Sequence, residues 1–180
     1  INLTGEVNAT SVIRAADGTI EFVAEGGDIA AGGIVEAAGG TIAIQSTGNV
    51  DIGGTLEAAQ INAAEGAITV ATDKEVTFSG TVTASIIEVG LKDVGDITPE
   101  LTPTRVNIME SAQVSAGLLM TITGEVVEVG SPIRAPTVVI TAGTSVETRG
   151  SAVIQATNLT ITSQRFGTSV TPVTLDAPNI

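Results

Sequence analysis

The feature that most constrains this chain is a set of apolar and small residues that returns at fixed distances from a glycine. Counting from Gly54, Ile42 and Ile44 lie at −12 and −10, Val50 and Ile52 at −4 and −2, and Leu56 and Ala58 at +2 and +4. Gly80 is flanked in the same way by Ile68, Val70, Val76, Phe78, Val82 and Ala84. Gly150 has Val138, Ile140, Val146, Thr148, Ala152 and Ile154. A copy without the glycine is centred on Leu118, with Val106, Ile108, Val114, Ala116, Met120 and Ile122. An earlier copy around Gly33 carries Ile20, Phe22, Ile29, Ala31, Val35 and Ala37, with one extra residue in its first corner. A last copy opens with Leu159 and Ile161 and then loses the pattern.

Within each block the period is two, which marks a strand with one buried face. Short polar corners separate the strands, as in "QSTGN" (45–49), "ATDKE" (71–75) and "TAGTS" (141–145). Further short strands are expected in 11–18, with Ile13 and Ala15 inward, and in 60–66, with Ile61 and Ala63 inward. No single block can bury its own apolar residues, so the blocks must stack, each touching only its neighbours. Like residues then form ladders, such as Ile44–Val70–Ile108–Ile140. The fold expected is all-β: a right-handed parallel β-helix of about five to six coils.

Residues 1–180 are read as one β-helical domain, a segment of a longer fibre. Two stretches lengthen the spacing between blocks and are expected to be loop excursions, at 85–105 and 123–137. The first holds Pro99 and Pro103 and both signs of charge, and adhesive contacts are expected there. Excursions of this kind let a solenoid carry specificity without disturbing its core.

Composition narrows the chemistry. Seven basic against twenty acidic residues give a net charge of −13. Such a chain repels phosphates and anionic headgroups, so nucleic acid is not expected as a partner, nor is membrane insertion. The absence of Cys removes disulfides and thiol catalysis, and there is no His, Tyr or Trp. Beta-helical enzymes on acidic polysaccharides need clustered carboxylates and bases. Here Glu21, Glu36, Asp51 and Glu57 fall on outward positions, and Arg14, Arg105, Arg134, Arg149 and Arg165 are spread along the chain. No catalytic, cofactor-binding or metal-ligating residue is therefore assigned, and the chain is not expected to be an enzyme. Calcium is the one cofactor the pattern leaves open: Asp28, Asn49 and Glu75 share a corner register, although they offer fewer oxygens than the ion favours.

Coils such as "GTIAIQSTGNVDIGGTLEA" (40–58) and the segment "FGTSVTPVTLDAPNI" (166–180) resemble the shaft repeats of large filamentous-haemagglutinin-like bacterial surface exoproteins. The Asn-Pro-Asn signatures of that family's secretion domain do not occur, so the likeness is to shaft alone. It implies a structural, non-catalytic segment of an extracellular or cell-surface fibre or adhesin. Possible partners are a host-cell, neighbouring-cell or glycan receptor, and further copies joined end to end. The alternative is a self-assembling filament or scaffold subunit similar to the bactofilins, and a polysaccharide-binding or polysaccharide-degrading β-helix stands third.

Overall fold

The computed structural model describes residues 11–14, 19–24, 27–37, 40–58, 66–90, 102–150, 152–167 and 174–176. Every regular element among them is a strand. The pairings sort the strands into three columns. The first holds β2 (Ile20–Ala24), β5 (Thr41–Ser46), β8 (Ala67–Ala71), the end of β10 (Thr81–Val89), the middle of β12 (Gln113–Val129), the start of β14 (Thr137–Thr148) and β16 (Asn158–Thr162). The second holds β3 (Ile29–Ala31), β6 (Val50–Ile52), β9 (Glu75–Phe78), β11 (Arg105–Ile108), the ends of β12 and β14, and β17 (Arg165–Phe166). The third holds β4 (Ile34–Glu36), β7 (Thr55–Glu57), the starts of β10 and β12, β13 (Ile133–Arg134), β15 (Val153–Gln155) and β18 (Thr174–Asp176).

All of these pairings are parallel, and the chain visits the columns in the same order each time. The architecture is all-β, a nearly closed sheet of parallel strands consistent with a β-solenoid. The exception to the parallel rule is β1 (Ser11–Arg14), which pairs antiparallel with β2. The reading of 11–18 as an ordinary coil strand is thus corrected in direction. Residues 15–18 and 59–65, which include Ala15, Ile61 and Ala63, lie outside the described residues.

The alternation expected from the sequence is the alternation of burial. In β2, β8 and β9 every second residue is buried, and in β3 and β6 the central Ala30 and Asp51 are exposed between buried neighbours. Inward residues meet their like along the stack. One ladder of the first column runs Ile20, Ile42, Ile68, Ile87, Met120, Val138 and Leu159, all buried. Burying such a side chain contributes about 1.5–3 kcal/mol, and a ladder realises it only because each residue covers the next. A second ladder is almost pure alanine where the third column turns into the first: Ala37, Ala58, Ala84, Ala116, Ala135 and Ala156. At that tight bend a small, buried side chain recurs from turn to turn.

Glycine marks the corner between the second and third columns for a different reason. A Cβ built on Gly54 would stand 2.0 Å from the carbonyl oxygen of Gly33, and one on Gly80 would stand 1.9 Å from that of Gly54. The corners stack backbone on backbone, and no side chain can be interposed. This explains the anchor of the repeat. Gly150, in contrast, has a positive φ of 61° and faces the Glu110 side chain, so it is not on this ladder.

Two of the sequence alignments are corrected. Ile154 sits opposite Ile133, in the column of Val82 and Leu56, so the copy anchored on Gly150 is displaced by two after its corner. The copy centred on Leu118 is displaced by a whole strand. Ile108 pairs with Phe78 and Val129 in the second column, whereas Ile44 and Val70 continue through Val89 and Ile122 to Ile140 in the first.

The excursions change accordingly. Residues 86–89 of the first stretch belong to β10 and pair on one side with β8 and on the other with β12. Residues 91–101 lie outside the described residues, and Pro103 precedes β11. The stretch 123–137 is no excursion. Residues 126–129 pair with β11 on one side and with β14 on the other, and β13 fills the third column. The corners there are so tight that β12 runs through two of them unbroken.

Candidate functional site

Function, in a stack whose interior is filled, falls to the outward side chains. The corner before the second column holds the three oxygen-bearing residues singled out in the sequence, Asp28, Asn49 and Glu75. The structure brings them into one column and gives two of them work. The Asn49 amide donates to Asp28 Oδ1 at 2.7 Å, and the Glu75 amide donates to Asn49 Oδ1 at 3.3 Å. Each side-chain oxygen thus accepts from the backbone of the next turn. Beside them, Ser46 Oγ donates to the Gly27 carbonyl at 2.6 Å and accepts from the Gly48 amide at 2.9 Å. Thr72 repeats this, donating to the Gly48 carbonyl at 2.6 Å and accepting from the Lys74 amide at 3.1 Å. Ser46 and Thr72 are both buried.

These bonds satisfy backbone groups that the turn would otherwise leave unpaired. They explain the polar corners as joints between turns. Among the described residues no group of three or more His, Cys, Asp or Glu converges as a metal-ligand set.

Further along the second column lies a cluster that the sequence did not reveal. Glu128 points outward yet is only 5% exposed. Arg105 Nη1 donates to its Oε1, and Arg149 Nη2 donates to its Oε2 at 2.7 Å. Glu147 is Glu128's neighbour in the next strand, so two carboxylates stack in one register. The arginines that looked scattered are therefore partly gathered. The signal was the register itself: Arg105 sits opposite Val126, two residues before Glu128, once the strands are phased. Like charges stacked on a sheet repel, and the two guanidiniums offset that repulsion.

Four outward carboxylates named from the sequence stand apart from this cluster. Glu36, Asp51 and Glu57 are exposed and Glu21 is half-buried, each on the outward phase of its strand. Glu36 and Glu57 are direct neighbours in the third column. Further along the same column Arg134 is exposed, next to Ser115 on one side and Gln155 on the other. Two shallow depressions flank it.

Comparison of this chain with protein-family models, curated proteins and solved structures finds no match.

Proposed function

We propose that the chain is a structural, non-catalytic rod: a right-handed parallel β-helix of seven turns, serving as part of an extracellular or cell-surface fibre or adhesin. The turn count follows from taking each strand of a column as one rung, in place of the five or six expected from sequence. With rungs about 4.8 Å apart, the stack is about 30 Å tall. The observation that carries the reading is the unbroken run of parallel pairings along all three columns, from β2 through β16, β3 through β17 and β4 through β18. The interior is closed by ladders, and Asp28, Ser46, Asn49 and Thr72 at the corners bond neighbouring turns to one another.

The resemblance of the coils to exoprotein shafts supports the surface location, and a net charge of −13 suits a solvated rod that does not clump. A disulfide between neighbouring turns tests the stacking: in the variant Asp51→Cys with Thr77→Cys the two cysteines sit opposite one another on β6 and β9, at a spacing a disulfide can bridge. Cross-linking on mild oxidation is expected, and its absence would sink the reading. Fractionation of the source cell tests the location, with recovery in the surface or culture fraction expected and recovery in the cytosol counting for the filament alternative.

A further inference from the structure

The third column carries an outward row that differs from the rest of the surface. From strand to strand it reads Glu57, Thr83, Ser115, Arg134 and Gln155. Beyond Glu57 lie four consecutive residues that can hydrogen-bond and carry no negative charge. The two depressions lie over these four. One, of about 330 Å³, is lined by Thr81, Thr83, Gln113, Ser115 and Arg134 among others, and the other, of about 480 Å³, by Ser115, Arg134, Gln155 and Thr157 among others. Ser115 and Arg134 line both, so the two form one trough running along the stack, and among the described residues no carboxylate lines it. Arg134 has no ion-pair partner among the described residues, whereas Arg105 and Arg149 are held by Glu128.

We propose that this trough binds an extended glycan whose sugars carry carboxylates, lying along the stack with an acid group on Arg134. The inference rests on the rod reading above and names the class of receptor. Its physical basis is a match of repeats and of charge. Thr83, Ser115, Arg134 and Gln155 recur at about 4.8 Å, close to the advance of one sugar in an extended pyranose chain. Successive residues of such a chain therefore meet successive donors and acceptors. A free guanidinium presents a planar fork that takes a carboxylate by two parallel hydrogen bonds. The surrounding acidity disfavours polyanions over much of the surface, and a trough with a free guanidinium and no described carboxylate in its lining lowers that barrier locally. No aromatic platform lines it, so binding depends on hydrogen bonds and on this one cation.

The test is calorimetric titration of the whole chain with a mannuronate hexasaccharide, cellohexaose as the neutral counterpart and polyglutamate as a polymer of equal charge type. Saturable binding is expected for mannuronate alone. Arg134→Gln weakens it by at least about tenfold, as loss of a charge-assisted bond does. Arg165→Gln, which removes the same charge from the second column, leaves it unchanged. No binding of mannuronate overturns the proposal, as does an equal loss in both variants or equal binding of polyglutamate. The Asp51→Cys/Thr77→Cys cross-link separates the two readings. A chain that cross-links and ignores the sugar removes the trough alone, whereas one that does not cross-link removes the stack and the trough with it.

Discussion

Gly80 rests on Gly54 with no room for a methyl group: a Cβ on Gly80 would lie 1.9 Å from the Gly54 carbonyl oxygen. The obstacle is backbone, which cannot rotate aside as a side chain can. Gly80→Ala is therefore expected to destabilise the chain by about 1–3 kcal/mol, the range for forced overpacking. Gly53→Ala is the control, because its nearest neighbour would be Ser79 Oγ at an ordinary 3.5 Å. Denaturant midpoints of the two variants check the contrast. Equal midpoints would show that the corners do not stack as described.

The hydroxyl ladder gives a second expectation. Thr72→Val keeps the volume and removes the hydroxyl, leaving the Gly48 carbonyl and the Lys74 amide without their partner. The loss expected is about 1–3 kcal/mol, the cost of an unsatisfied buried group. Thr72→Ser restores the bond and is expected to recover most of it. Thermal unfolding of the three proteins side by side decides the matter.

Glu128 and its arginines are unequal partners. The arginine side chains are 41% and 59% exposed, so either can turn to water when its partner is lost. Glu128→Gln is accordingly expected to cost only about 1 kcal/mol. Replacing Arg105 and Arg149 together by Met leaves a buried carboxylate beside Glu147, and a loss of about 3–5 kcal/mol is expected. Urea unfolding of the Glu128 variant and of the double variant measures the asymmetry, which an equal loss in both would refute.

Glu36 and Glu57 face one another across β4 and β7 with both side chains in solvent. Their repulsion is of the kind that salt screens. Glu57→Gln is expected to raise the melting temperature slightly at low ionic strength and to lose that advantage at about 1 M salt, where the Debye length falls to about 3 Å. A gain independent of salt would assign the effect to something other than charge.

The strand phase was legible wherever a polar corner punctuated it. Ile42, Ile44, Val50, Ile52 and Leu56 all point inward as their spacing implied, because Thr47–Asn49 and Gly53–Gly54 announce the turns. The phase was lost where a corner costs almost no residues. Between Ala84 and Ile86 the chain passes from the third column to the first through Ser85 alone, inside one continuous strand. Hence 86–89 read as the start of a loop, and the next block slipped by a strand. Gly117 and Leu118 hide a corner in the same way within β12. The Arg105–Glu128–Arg149 cluster was invisible for a related reason. Its members are far apart in sequence and meet only through the register of β11, β12 and β14. Chemistry at a corner can be read locally, but chemistry across turns needs the turns in phase first.

The parallel ladders also bear on how such a body yields to force. Bonds between neighbouring turns point along the stacking direction, so tension applied at opposite extremities tugs on the outermost turn before any other. That turn peels while the rest stay folded, then the one beneath it follows. The molecule pays out chain in small steps, as a spool does, and a tether built this way lengthens under load instead of snapping.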